Sequence, residues 1–523
     1  MSCPECFHVM LRTQKDQLFT LVKSLTKSEK RNFRLYATRL ESGSDTKFFQ
    51  LFDVLDKLND YDEPLLLKKL QAGVEKAQLP NLKRHLYKQI LISLRLVYIQ
   101  KNIDIEIREQ IDFARILYGK GMYMQALKLL ERIKRIALDH HQDILHLEIL
   151  EFQKLIEARH ITRSRQVKNK MEDLLEESLR RSQITLTASK LSNFNISVQG
   201  WYIQFGHAKN DREAQAVRAF FESNLPGELN TEKLTFFERI NLYQSYLWYN
   251  YVLLDFQSCR HYTSLWVELF ETYPQMKDKD PDLYMRGLYY LLMSAYFLGD
   301  LATFERNLEA FEGFSKANHD LFNTNSGMIA FVYLHLSKLN YAYLTGNYEA
   351  GLALVSEIEE AIPKYEALSD IHRMLLFYYK IAYLYFGCGN FEKALEYLNA
   401  IIHLKGGSLR EDLHFNARLL HLLCHYESGN YDLIAYLSES MHRSFGNSED
   451  ISKLQKATLQ FVKKLIRIPS SESRPAFEKF HRQALKLAAN PYERKATLYL
   501  DIPAWAESHL LNCSLSELAK RGK

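Results

Sequence analysis

Cysteines, histidines, acidic pairs and glycine-rich turns are the residues through which this chain would do chemistry, and each group falls short of a working set. Cys3 and Cys6 have the spacing of thiolate zinc ligands, with His8 beside them, but no second CxxC or HxxxH nearby completes a tetrahedron. Cys259, Cys388, Cys424 and Cys513 are scattered without a disulfide framework, the pattern of thiols kept reduced. Gly387-Cys388-Gly389 lacks the third glycine and the preceding strand of a dinucleotide fingerprint. Lys405-Gly406-Gly407-Ser408 puts its lysine before the glycines, the reverse of a phosphate-binding loop. His140, His141 and His146 do not make the i, i+4 pair of a helical zinc site and read as a solvated helix end. Glu176-Glu177 and Glu359-Glu360 read as charged outer faces of helices. The expectation is therefore no catalytic set, no cofactor and no metal. An enzyme with an unrecognised site would declare itself through a deep pocket holding strongly perturbed titratable groups.

Two other sets point to binding. Lys27, Lys30, Arg31 and Arg34 fall at i, i+3, i+4 and i+7, one stripe of a helix whose opposite face carries Phe33, Tyr36, Ala37 and Leu40. Such a stripe either docks on phosphates or is a solvated charged face. Leu65 to Ile90, with Gly73 between two helical stretches and Lys83, Arg84 and His85 in the second, is compatible with a helix-turn-helix. The net charge of +5 is too small to pull so long a chain onto nucleic acid as a whole. The second set is aromatic. Tyr118, Tyr251, Tyr296, Tyr343, Phe386 and Tyr426 each lie three residues before a recurrent turn, and Trp248 and Tyr383 lie six before one. This column either packs between neighbouring helices or faces a groove, where it would grip an extended or helical peptide through apolar contact and tyrosine hydroxyls.

Helices must position these residues. Only 20 Gly and 11 Pro occur in 523 residues, so an all-β or turn-rich fold is excluded, and 47% hydrophobic residues exclude wholesale disorder. One pattern recurs: an apolar helix ending near an aromatic, then Gly, then Asn or Asp, then a second amphipathic helix. Gly389-Asn390-Phe391, Gly346-Asn347-Tyr348, Gly429-Asn430-Tyr431 and Gly299-Asp300-Leu301 are clear copies, Gly121 marks another, and Asp255 and Asn210 mark degenerate ones. Gly closes the first helix in the left-handed conformation, and Asn or Asp caps the second, contributing about 1 kcal/mol each. Small residues four places on, Ala394, Gly351 and Ala126, let the paired helices cross closely.

Ala382, Tyr385, Gly389, Phe391, Ala394 and Leu398 stand in the order of a known signature, and Pro363 follows Gly346 at the distance where that signature ends a repeat. Over residues 105–450 the chain resembles the tetratricopeptide repeat (TPR) family. Turns at 209, 254, 299, 346, 389 and 429 are spaced by 40 to 47 residues, longer than the family's usual period of about 34. The resemblance implies an all-α, right-handed solenoid of about eight TPR-like helical hairpins. One hairpin is hidden around residues 142–182, where Ile144 to Ile156 and Met171 to Leu179 look helical. It also implies a concave groove, lined by the first helix of each hairpin, that binds a protein or peptide partner. Chaperone-tail-binding members clamp a terminal carboxylate with Lys, Asn and Arg. Their clamp positions read here Ile111, Gln199, Gln244, Tyr289, Leu336, Tyr379 and Leu419, without a lysine, and Asn340 alone survives, so an acidic C-terminus is not the expected ligand.

Residues 1–12 read as a frayed leader with Met10 as an alternative start, 13–104 as a locally basic helical cap, and 451–523 as a second cap. Thr26 with Glu29 and Ser514 with Glu517 have capping-box spacing, and Pro469 to Pro475 reads as a break before the last helices. No window is apolar enough to span a bilayer and no export signal opens the chain, so a cytoplasmic protein without a membrane role is expected. The leading expectation is a non-catalytic scaffold or adaptor. The alternative is a regulator whose basic N-terminal helices contact nucleic acid while the repeats sense a ligand.

Overall fold

The computed structural model describes residues 16–40, 46–70, 76–99, 101–159, 170–227, 229, 231–365, 371–403, 411–445 and 451–521. The expected leader, the Cys3, Cys6 and His8 group, Gly73 and the Lys405 to Ser408 loop lie outside them. Among the described residues every element is a helix and none is a strand. The chain forms two compact units, residues 1–185 and 186–523.

The first unit contains α1 (Gln17–Ser24), α2 (Lys27–Leu40), α3 (Thr46–Lys57), α4 (Glu63–Lys69), α5 (Leu79–Tyr98), α6 (Ile103–Gly119), α7 (Tyr123–Asp139), α8 (Asp143–Arg159) and the start of α9 (Lys170–Phe205). The Thr26 capping box is formed: the Thr26 amide donates to Glu29 Oε2 at 2.7 Å and the Glu29 amide to Thr26 Oγ1 at 3.2 Å. Helices α1 to α5 share one core, built on Val22, Phe33, Phe52, Leu55, Leu86 and Ile90, and α6 to α8 share a second on Ile111, Leu130, Ile133 and Ile149. Both stretches of the hairpin expected around 142–182 are helical: Ile144 to Ile156 lie in α8 and Met171 to Leu179 in α9, joined through Arg181 to Asp143, His146 to Glu177 and Ser178 to Glu151, but the second helix runs on to 36 residues. No glycine or proline interrupts α9 before Gly200, so nothing in its sequence stops the helix.

The second unit takes up the remainder of α9, then α10 (Asp211–Asn224), α11 (Phe236–Val252), α12 (Phe256–Thr272), α13 (Gln275–Lys279), α14 (Pro281–Leu298), α15 (Leu301–Asn318), α16 (Thr324–Thr345), α17 (Tyr348–Leu352), α18 (Val355–Tyr365), α19 (Ile371–Gly387), α20 (Phe391–Ile402), α21 (Glu411–Glu427) and α22 (Tyr431–Phe445). Then come α23 (Lys453–Leu465), α24 (Ser470–Ala488), α25 (Arg494–Thr497), α26 (Ile502–Leu511) and α27 (Leu515–Arg521). Asn210, Asp255, Asp300, Asn347 and Asn390 each accept from a backbone N–H in the first turn of the following helix. Asn430 instead places its amide 3.2 Å from His425 Nδ1. Gly346 is left-handed (φ 67°), and a Cβ there would sit 2.9 Å from the Ala519 carbonyl carbon, so glycine is required by both the turn and the packing of α27. Leu254 adopts the same conformation (φ 60°) in the degenerate copy, a strain of about 1 kcal/mol.

Packing follows chain order. Helix α11 packs on α12, α12 on α14, and α14 on both α15 and α16; further on, α19 packs on α16, α20 and α21. Ala394, Gly351 and Ala126 are buried at their helix crossings as expected. The break expected at Pro469 to Pro475 lies at 466–469 instead, between α23 and α24. Pro469 is the N-cap of α24 and Pro475 lies in its second turn, where a missing N–H removes one bond of the ladder. The Ser514 capping box is formed, with bonds of 2.9 and 3.2 Å to and from Glu517. No described helix is long and apolar enough to cross a membrane.

Candidate functional site

The basic stripe of α2 is divided by the acidic face of α3. Lys30 Nζ lies 2.7 Å from Asp56 Oδ1, and Arg34 Nη2 lies 2.9 Å from Asp53 and 3.0 Å from Asp56. Burial would raise the Asp56 carboxyl, but the bonds from Lys30 and Arg34 outweigh it and hold it below its ordinary value. Lys27 and Arg31 stay exposed. The four residues are thus not one free surface, since Lys30 and Arg34 are paired with α3, although Arg34 stays partly exposed beside Lys27 and Arg31. Lys83, in the expected helix-turn-helix, is tied to Asp16 at 2.9 Å and bonded to Tyr61.

The histidine reading is also corrected. His146 is fully buried on α8, not at a solvated end, and its Nε2 lies 2.9 Å from Glu177 Oε1. Glu177 accepts from Lys134 at 2.9 Å, and Arg181 pairs with Asp143 at 2.6 Å. Burial, with the charge of Arg181, pushes His146 below the usual histidine range. Among the described residues no three His, Cys, Asp or Glu side chains are grouped to hold a metal.

The second unit holds a partly open cavity of about 570 Å³ in whose lining tyrosine is the commonest residue. Five residues of the aromatic column converge on it: Trp248 and Tyr251 from α11, Tyr296 from α14, Tyr343 from α16 and Tyr383 from α19. The other three do not. Tyr118, in the first unit, packs edge-on against Phe152 at 5.8 Å; Phe386 is buried against Phe391 at 5.6 Å; Tyr426 packs between Tyr431 and Trp505. The reason is the path of the cavity wall. On α14 and α16 it reaches the residues next to the turn, Phe297 and Leu344, whereas on α19 it runs from Arg373 through Leu376 and Lys380 only to Tyr383. Phe386, one turn further along α19, therefore falls past its edge and serves the core.

The rings interlock. Tyr289 stacks on Tyr333 at 4.2 Å, Trp248 meets Tyr290 edge-on at 5.6 Å, and Tyr343 meets Tyr383 edge-on at 5.3 Å. Burial raises the phenols of Tyr290, Tyr296, Tyr343, Tyr379 and Tyr383, so they remain neutral hydrogen-bonding groups. Gly387 makes room for this arrangement, since a Cβ there would lie 2.2 Å from the Tyr348 ring.

Two cations share this wall, and neither was singled out in the sequence. Lys380 Nζ donates to Asn340 Oδ1 at 2.6 Å and sits 5.0 Å from the Tyr343 ring centroid and 5.7 Å from that of Tyr296. Desolvation lowers its amine to about 8. Arg373 donates to the Tyr333 hydroxyl at 3.2 Å and stacks over its ring. Among the described residues no carboxylate lies within ion-pair distance of either. Lys380 comes directly after Tyr379, one place beyond the clamp position that lacks a lysine. Its signal was the i, i+3, i+7 spacing of Arg373, Leu376 and Lys380, a stripe legible only once the face of α19 is known.

The C-terminal helices complete the wall. Thr497, Leu498, Tyr499 and Asp501 line the cavity, and Tyr379 donates to the Tyr499 carbonyl at 3.2 Å. Asp501 caps α26 through the Ala504 amide at 3.0 Å. Trp505 Nε1 donates to Glu427 at 2.7 Å and Lys520 pairs with Glu349 at 3.1 Å, fastening this segment to α21 and α17. Comparison with protein-family models, curated proteins and solved structures found no match to this chain.

Proposed function

We propose that this chain is a non-catalytic binding protein, a TPR-like right-handed α-solenoid whose second unit receives a ligand or a segment of a protein partner in its tyrosine-lined cavity. The observation that carries this reading is the convergence of Trp248, Tyr251, Tyr296, Tyr343 and Tyr383, residues far apart in the chain, on one cavity. The solenoid is supported by helices that pack in chain order across Gly-Asn and Gly-Asp turns. Aromatic walls with neutral hydroxyls grip apolar and aromatic groups while offering hydrogen bonds.

The perturbed lysine and tyrosines of this cavity meet the condition set above for an unrecognised enzyme, so a catalytic site is the second reading, and binding is favoured over it by the surroundings of Lys380. Its side-chain acceptor is the amide of Asn340, which exchanges no proton, and the neighbouring phenols are held neutral. Nucleic-acid contact through α2 is the weaker reading, because Lys30 and Arg34 are already paired with α3.

The test compares proteins captured by the wild-type chain and by a Trp248→Ala, Tyr296→Phe, Tyr343→Phe variant, with circular dichroism establishing equal helicity. Loss of a captured partner or of a co-purifying small molecule is expected. Identical captures would refute a role for the cavity.

A further inference from the structure

From the two cations on its wall we infer that the cavity of the second unit takes a small aromatic carboxylate, with Lys380 and Arg373 facing the anionic group and the tyrosines enclosing the ring. This rests on the reading of the cavity as a binding site and names its ligand class.

A charge facing an aromatic cavity is costly unless a counter-charge meets it. Lys380 has an amide and two ring faces for partners, and Arg373 has a phenol and its ring; among the described residues no carboxylate is paired with either side chain. Seven residues apart on α19, they stand two turns apart on one face, about 10 Å along the axis. Both line the cavity, so one anion entering it can approach either of them. Asp501, on the C-terminal segment of the lining, is the carboxylate among the lining residues, and it caps α26. An aromatic body is favoured because its neighbours, Tyr289, Tyr290, Tyr296, Tyr343 and Tyr383, present rings rather than flexible aliphatic chains. A free small acid is favoured over the end of a polypeptide because about 570 Å³ is the size of a small-molecule site.

The groups facing Lys380 are Tyr296 on α14, Asn340 and Tyr343 on α16, and Tyr379 and Tyr383 on its own helix. None of these carries a charge at neutral pH, and Asp501, the lining carboxylate that acts on Tyr296 and Tyr383, makes no ion pair with Lys380, so a bound carboxylate would favour the ammonium form where the lining does not. Binding at pH 9 should then draw about 0.9 proton onto the amine, against about 0.1 at pH 7, if the bound amine returns to its ordinary range.

The experiment titrates the full chain calorimetrically with 1-naphthoate, with the neutral 1-naphthalenemethanol, and with a short peptide ending in phenylalanine as acid and as amide. Buffers of different ionisation heat report proton uptake. The expected result is at least tenfold tighter binding of naphthoate than of the alcohol, with proton uptake at pH 9, both lost in Lys380→Met and the preference reduced in Arg373→Met. Circular dichroism establishes that the variants are folded. Equal binding of acid and alcohol, or an unchanged preference in Lys380→Met, overturns the inference while the cavity stands as an aromatic site. Binding of neither naphthalene nor peptide overturns the cavity reading and this inference with it. A peptide acid that binds more tightly than naphthoate overturns the assignment to a small acid.

Discussion

Replacing Lys380 by methionine should stabilise the second unit at neutral pH, and the gain should fade as the solution is made alkaline. In the folded chain the amine is lowered by desolvation to about 8, whereas an unfolded lysine titrates near about 10.4. Between those values the unfolded chain binds the proton and the folded chain does not, so folding is penalised below about pH 8 and the penalty disappears as pH rises through the unfolded value. At about 1.4 kcal/mol per pH unit, the penalty is about 3 kcal/mol at pH 6.5 and about 1 kcal/mol at pH 9.5. Methionine has similar length and no charge, but leaves Asn340 Oδ1 without its 2.6 Å donor, a loss of about 1 kcal/mol. Lys380→Met should therefore be about 2 kcal/mol more stable than wild type at pH 6.5 and nearly equal at pH 9.5. All four tryptophans, Trp201, Trp248, Trp266 and Trp505, belong to the second unit, so urea unfolding followed by their fluorescence reports on it selectively. A variant less stable at pH 6.5, or a gap between the two proteins that does not change with pH, would show that the amine is well hydrated and would refute the argument.

Gly387→Ala should cost about 1–3 kcal/mol, because its Cβ would meet the Tyr348 ring at 2.2 Å; in a Tyr348→Ala background the same change should cost almost nothing, read by the same fluorescence. Reversing Lys30 and Arg34 to Glu should destabilise the first unit by about 1–2 kcal/mol through Asp53 and Asp56, whereas reversing the exposed Lys27 and Arg31 should change it by less than about 0.5 kcal/mol; hydrogen exchange of α2 and α3 peptides distinguishes them. His146, held below the usual histidine range by burial and Arg181 against the pull of Glu177, resists a proton that the unfolded chain accepts. The first unit should accordingly lose protection in α7 and α8 as pH falls below about 6.5, and His146→Gln should lessen that loss; equal acid sensitivity in both proteins would refute it.

The helical class, the turn residues and both capping boxes were legible in the sequence because each is a local property. Helix propensity, a left-handed glycine and a side chain reaching an amide three residues away are fixed by neighbours in the chain. Asn390 capping through Lys393 N and Thr26 pairing with Glu29 needed nothing from elsewhere. The helical stretch from Ser470 to Pro475 was misread because breaker residues were given more weight than local continuity, and the full length of α9 was not read because only its first part was recognised as helical.

What the chain determined by itself, then, is where helices begin and end and which aromatic residues recur at their ends. Which recurrences share a space is a matter of tertiary structure, since the angle at which each helix meets the next decides how far along it the cavity wall extends. That is why Tyr383 lines the cavity while Phe386, three residues later on the same helix, fills the core. It is also why Lys380, which looks like any lysine in an amphipathic pattern, is lowered by burial among rings contributed by α14 and α16, and why Lys30 and Arg34 are neutralised by carboxylates on α3. Charge and hydration depend on which groups lie nearby in space, and spacing along the chain does not carry that information.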